Sequence, residues 1–212
     1  GMDSRIGDKF LKSSVGFGGS CFQKDILNLV YISKSLGLDE VSDYWNHVIK
    51  INDYQKKRFA KKIISSLFNT VSSKKITLLG WAFKKDTNDT RESAAIYVAD
   101  LLIENGAKVY VFDPKVNEQQ MLTDLDYLNS RSSKENKKAL IYCSDPYEAC
   151  DKSHAVAIIT EWDEFKLYDW KKIYTTLIKP AKIFDGRNVL DKNALEKIGF
   201  EVYSIGKSFK KN

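Results

Sequence analysis

The chain has only two histidines, His47 and His154, and three cysteines, Cys21, Cys143 and Cys150. Two histidines far apart in sequence argue against a histidine-based metal centre or triad. Each reads as a surface or helix residue. The cysteines are odd in number and show no CxxC spacing. Neither a disulfide framework nor a zinc site is indicated, so a reducing, cytoplasmic setting is expected. No apolar run approaches the roughly 20 residues that cross a membrane, and the start has no secretory pattern. Gly1-Met2-Asp3 opens directly onto a charged segment, as a portion of a longer polypeptide would. The formal charge is +6, with small clusters at Lys56-Lys57-Arg58, Lys61-Lys62 and Lys210-Lys211. A basic face interleaved with aromatics is missing, as is any nucleic-acid module. The charge therefore points away from nucleic acid and towards an anionic, phosphate-bearing small molecule.

What is present is ordinary globular material, 43% hydrophobic and 29% charged over 212 residues, enough for a sizeable core. The most telling stretch is residues 16–25, Gly-Phe-Gly-Gly-Ser-Cys-Phe-Gln-Lys-Asp. Three glycines and a serine lead into Cys21, and an apolar periodic run follows. That pattern predicts a loop delivering Cys21 to the first turn of a helix, where exposed N–H groups and the dipole favour anions. Asp25 falls on the same helix face, which makes the two a candidate nucleophile–base pair. Read alone, the stretch fits equally a buried, inert cysteine after a glycine turn.

The two halves differ in texture. Residues 20–70 read as helix almost throughout. A first helix is predicted from Ser20 or Cys21 to Leu36, stopped by Gly37. A second is predicted from Asp39 to Phe68, either unbroken or split near Asn52-Asp53. Unbroken, it would suit a bridge between domains or a subunit contact. From Lys74 strands alternate with helices: strands at 76–79, 108–112, 139–143, 155–160, 182–184 and 201–205, helices at 91–105, 145–150, 168–177 and 191–197. This predicts an α/β fold with a doubly wound, mainly parallel sheet. The polar segment 115–138 reads as a solvent-facing insertion of low order.

In such sheets ligands bind beyond the carboxyl ends of the strands. The first strand is followed by Gly80-Trp81-Ala82-Phe83-Lys84, not by the G-x-G-x-x-G fingerprint. Without those glycines, Asp113 reads mainly as a turn residue before Pro114. Arg187, after Gly186 at a strand end, suits a phosphate or sugar ligand.

Residues 16–25, the Gly80–Lys84 turn, Thr90-Arg91-Glu92-Ser93, Phe112-Asp113-Pro114, Thr160-Glu161-Trp162 and Phe184-Asp185-Gly186-Arg187 occur in this order. Together they resemble the C-terminal half of the nucleotide-sugar 6-dehydrogenases, closest to the eukaryotic enzymes acting on UDP-glucose. The resemblance covers essentially the whole chain. It implies a long-helix central dimerisation segment carrying the catalytic cysteine (1–70) and a Rossmann-like UDP-sugar-binding domain (71–212). It also implies an NAD-binding domain that this chain does not contain. The implied reaction oxidises UDP-glucose to UDP-glucuronate with two NAD, through a thiohemiacetal and thioester on Cys21, with Asp25 assisting. The implied substrate residues are Arg5, Lys12, Ser13, Ser14, Val15, Gly16, Phe17, Gly18, Phe83, Lys84 and Arg187. Cys21, Phe22, Gln23, Lys24 and Arg91 are implied for NAD. Trp81 fills a variable slot and receives no role. A homodimer through the long helix is implied, with hexamers in the full-length enzyme, and the chain alone is expected to be inactive. A dehydrogenase for another nucleotide sugar, or a non-catalytic sugar-nucleotide-binding and dimerisation module, are the alternatives.

Overall fold

The structure, a computed structural model, describes residues 1–9 and 11–207; Lys210-Lys211 lies outside them. Helix α1 (Ser20–Ser35) opens at Gly19 and closes where the Leu38 N–H bonds back to the Ser33 carbonyl, with Gly37 left-handed at φ 72°. Helix α2 (Asp39–Ser66) runs unbroken for 28 residues, roughly 42 Å. It stops where Phe68 and Asn69 turn to positive φ. Its core stripe is Asn52, Lys56, Phe59, Ala60 and Ile63, a three- and four-residue spacing that includes two polar members.

Then follow β1 (Lys75–Leu79), α3 (Ala94–Glu104), β2 (Lys108–Phe112), α4 (Glu118–Tyr127), α5 (Ser133–Ala139), β3 (Leu140–Tyr142), α6 (Pro146–Cys150), β4 (Ala155–Ile158), α7 (Trp170–Thr176), β5 (Lys182–Asp185), α8 (Lys192–Ile198) and β6 (Glu201–Ser204). The strands form one parallel sheet in the order β3-β2-β1-β4-β5-β6. The order reverses between β1 and β4, so a crevice opens there at the carboxyl ends. β4 and β5 are buried at every position, as strands covered on both faces must be. Val15 and the second half of α2 join the same continuous core as the sheet.

Two expectations need correction. The helix predicted from residue 91 begins only at Ala94, because Ser93 is its N-cap and accepts from the Ala95 N–H. Arg91 and Glu92 are thereby left in a turn. Residues 115–138 are ordered as α4 and α5. Met121 and Leu125 are fully buried, Asn117 and Ser132 cap the two helices, and Asn136 donates to Asp126 at 2.7 Å. Met121 and Leu125, with Leu122 and Leu128 packed partly against the core, anchor α4 within a polar segment, which concealed an ordinary pair of capped helices.

Candidate functional site

The carboxyl ends of β1, β4 and β5 open onto a cavity of about 1050 Å³. The strap of residues 11–19 and the first turn of α1 form its other wall, with Cys21 at the second helical residue. The strap is held from three sides. Val15 is fully buried, and its methyl takes the space a side chain at Gly186 would need, 2.3 Å from an added Cβ. Asn52 of α2 clamps Phe17 in both directions: its Oδ1 accepts from the Phe17 N–H at 2.8 Å and its Nδ2 donates to the Phe17 carbonyl at 3.1 Å. At the far end the Gly19 N–H donates to the Arg91 carbonyl at 2.8 Å. The Phe22 ring then stands edge-on to Phe17 at 4.6 Å.

The cavity is strongly cationic. Lys9, Lys12, Lys84, Lys85, Arg91, Lys166 and Arg187 line it, against the acids Asp89, Glu161 and Asp163. Asp89 pairs with Arg91 at 2.7 Å, Glu161 with Arg187 at 2.5 Å, and Asp163 with both Lys85 and Lys166. Lys9, Lys12 and Lys84 have no carboxylate partner among the described residues, so the cavity keeps unbalanced positive charge. Arg187 is largely buried and also donates to Ser14 Oγ at 3.0 Å. Burial draws its guanidinium below the usual arginine range, opposed by the carboxylates of Glu161 and Asp185.

A second cavity of about 470 Å³ lies on the other side of α1's first turn. Its polar lining includes Gln23, Lys24 and Arg91 together with the acids Glu92 and Asp124, and Leu27, Ile96 and Leu128 form its apolar wall. Ser20 and Arg91 border both cavities. Cys21 lines the first cavity and is within electrostatic reach of the Arg91 guanidinium.

The turn after β1, where many sheets of this topology hold a dinucleotide pyrophosphate, is closed here. Asp113 is buried, and its Oδ2 accepts from the Trp81 N–H at 2.6 Å and the Ala82 N–H at 3.0 Å. The same oxygen accepts from Trp162 Nε1 at 3.1 Å, and Oδ1 accepts from the N–H groups of Lys115 and Val116. A carboxylate thus sits on the amides that a phosphate would use. Asp113 is a hub joining three strand ends rather than a turn residue. Trp81 also has a clear place: it is fully buried and donates from Nε1 to Asp124 of α4 at 2.8 Å.

Of the residues expected at the site, Lys12, Ser14, Gly16, Phe17, Gly18, Cys21, Phe22, Phe83, Lys84, Arg91 and Arg187 line the first cavity. Gln23 and Lys24 line the second. Ser13 is exposed and Val15 buried, and neither side chain faces either cavity. Arg5 is exposed and ion-paired to Asp3 at 2.7 Å. Asp25 is exposed on the next turn of α1, away from both cavities, and among the described residues no hydrogen bond joins it to Cys21. Cys21 Sγ has Ser20 Oγ at 3.8 Å. Asn52, Lys85, Glu161, Asp163 and Lys166 received no role from the sequence. Signals existed for Asn52, a polar residue on the apolar stripe of α2, and for Lys85 and Glu161, which follow β1 and β4 at their carboxyl ends.

Residues 77–192 match the UDP-binding domain of the UDP-glucose/GDP-mannose dehydrogenase family, and residues 1–54 match the family's central domain. The UDP-glucose 6-dehydrogenase of Drosophila melanogaster is 57% identical over 212 residues, covering 100% of this chain and 44% of that protein. That of Pongo abelii is 56% identical over 209 residues, covering 98% of this chain and 42% of that protein. Among solved structures, a UDP-glucose dehydrogenase from Pyrobaculum islandicum aligns with a TM-score of 0.70 at 31% identity, over 94% of this chain and 42% of that one. The chain therefore spans less than half the length of the relatives it matches.

Proposed function

The chain belongs to the UDP-glucose/GDP-mannose dehydrogenase family, and on that premise we propose that it is the sugar-nucleotide-binding, thiol-bearing part of an NAD-dependent UDP-glucose 6-dehydrogenase. The observation that carries this reading is one cavity holding both an exposed cysteine and an excess of cations, among which Lys9, Lys12 and Lys84 form no ion pair with the described residues. A diphosphate answers the charge, and the thiol answers the need for a nucleophile at the sugar's oxidised carbon.

The chemistry assigns each residue a task. Lys12, Lys84 and Arg187 hold the diphosphate and sugar, and the strap's backbone groups enclose them. Cys21 attacks the aldehyde-level carbon, forming a thiohemiacetal; its oxidation leaves a thioester, which water cleaves to the carboxylate and free thiol. Asp25, expected to assist that step, is turned away from both cavities and receives no role in this reading. NAD, when bound, accepts hydride in each oxidation. The closed turn after β1 does not fit it, whereas the second cavity, with Gln23, Lys24 and Arg91 over an apolar wall, suits one end of such a cofactor. The complete reaction then needs the part of the relatives that this chain does not span.

Leu27, Tyr31, Ile32, Leu36, Val41, Tyr44, Ile51 and Tyr54 leave an exposed apolar surface on α1 and α2. A surface of this kind marks an interaction site, and it supports a homodimer through the long helix, building to hexamers, with Arg5 reaching a neighbour's site. Three free cysteines accord with a cytoplasmic location.

Calorimetric titration of the chain with UDP tests the reading. UDP is expected to bind weakly and UMP more weakly still, both losing affinity with added salt. Lys84→Ala removes an unpaired cation and leaves the Arg187–Glu161 pair intact. It is expected to weaken UDP binding about tenfold, the loss of one charge-assisted contact. Equal affinity for UDP in the variant would refute the cationic site.

A further inference from the structure

A buried lysine lies outside the chemistry just described. Lys56 of α2 is 1% exposed, its ammonium 3.4 Å from Asp53 and 3.8 Å from the centre of the Tyr97 ring. Burial holds that ammonium below the usual lysine range, countered by Asp53 and Glu92. A charge taken out of water needs partners held close to it, and the partners of Lys56 point to its role. Tyr97 donates from its hydroxyl to Glu92 Oε2 at 2.6 Å. Glu92 is held at φ 55°, a conformation unusual for a residue with a side chain. Its backbone supports the cysteine loop directly. A Cβ at Gly18 would lie 2.6 Å from the Glu92 carbonyl oxygen, so glycine is required for the loop to rest there. The preceding carbonyl, of Arg91, accepts from the Gly19 N–H at 2.8 Å, and Gly19 is the N-cap of the helix that presents Cys21.

Helix α2 thus grips the loop at two points. Asn52, one turn before Lys56, clamps Phe17. The second grip runs from Lys56 through Tyr97 to Glu92 and so to Gly18 and Gly19. We infer that Lys56, Tyr97 and Glu92 form a positioning brace that fixes the Gly18–Cys21 turn, and with it the thiol, to the long helix. The catalytic consequence rests on the proposed role of Cys21, but the brace itself is a statement about the loop and can be tested without turnover.

Site-resolved amide hydrogen exchange on the intact chain is the test. Tyr97→Phe keeps the ring over Lys56 and removes the hydroxyl; Glu92→Ala removes the acceptor; Glu92→Gln keeps an amide oxygen that can still accept. The Gly19 N–H is expected to exchange about tenfold faster or more in Tyr97→Phe and Glu92→Ala, and within about threefold of the parent in Glu92→Gln. Core amides of β1, β4 and β5 are expected to stay within about twofold in all three. Unchanged Gly19 exchange in Tyr97→Phe overturns the brace. So does a parallel rise in the core amides, which marks a general loss of stability, or a Glu92→Gln chain that behaves like Glu92→Ala. Failure of the UDP titration with this exchange pattern intact would overturn the proposed ligand and leave the brace standing.

Discussion

Cys21→Ser, placed in a polypeptide of the relatives' full length, is expected to lower formation of the carboxylate product by about 10³-fold or more. That corresponds to a barrier increase of about 4 kcal/mol. A serine hydroxyl is a far weaker nucleophile than a thiolate near neutral pH, and an oxygen ester is a poorer acyl donor than a thioester. The fold should not register the change. Cys21 is exposed, and its recorded polar neighbour is Ser20 Oγ at 3.8 Å, so stability should stay within about 0.5 kcal/mol and UDP binding should be unaltered. The two other cysteines are buried and do not substitute for it. Burial raises the Cys150 thiol to about 12 and shifts Cys143 in the same direction. Following NADH together with free carboxylate distinguishes loss of the second oxidation from loss of binding. Full-rate acid formation by the serine variant would sink the covalent mechanism. The chain by itself is expected to yield no NADH from UDP-glucose and NAD, because it spans only 42–44% of the relatives' length and its dinucleotide-type turn, after β1, is filled by Asp113.

The largest effect on stability is expected at Asp113. Its two oxygens accept from four backbone N–H groups and one indole, at 2.6 to 3.1 Å, and the residue is 2% exposed. Trp81, Ala82, Val116 and Trp162, four of its five donors, are buried as well. Asp113→Ala strands these donors where little water can reach. Each buried donor without an acceptor costs about 1–3 kcal/mol, and partial hydration of the enlarged space reduces the sum. A net loss of about 3–5 kcal/mol is therefore expected, a large share of a typical domain's stability. Asp113→Asn keeps one acceptor oxygen but turns an NH2 towards other donors, so it should fall between the parent and alanine. Denaturant midpoints at constant slope measure this. An alanine variant within about 1 kcal/mol of the parent would mean the hub is dispensable.

The alternation of strands and helices from Lys74 onward was legible because the strands carry short apolar stretches, such as Leu78-Leu79, Ala155–Ile158 and Ile183-Phe184, with turn residues at their ends. The glycine run before Cys21 was legible for a related reason, since a chain that must pass close to Phe83 and Glu92 cannot carry side chains there. Helices α4 and α5 were not legible, because the short apolar stripe of Met121, Leu122, Leu125 and Leu128 is set among polar residues, caps and an Asp126–Asn136 bond. The position of Asp25 could not be read either. An i, i+4 spacing puts two residues on one helix face, but it does not say which of them meets the cavity.

By itself, then, the sequence determined the succession of strands, the parallel sheet and the arrival of Cys21 at a helix start, all of which rest on local periodicity and local backbone freedom. Tertiary structure alone decided that Asp113 closes the turn after β1, that Glu161 meets Arg187, and that α2 grips the cysteine loop through Asn52 and the Lys56–Tyr97–Glu92 chain. The physical reason is separation along the chain: Asn52 and Phe17 are 35 positions apart, and Arg187 and Ser14 are 173 apart. Hydrogen bonds and ion pairs over such spans leave no periodic trace, and only folding around one core brings the partners within 3 Å or so of each other.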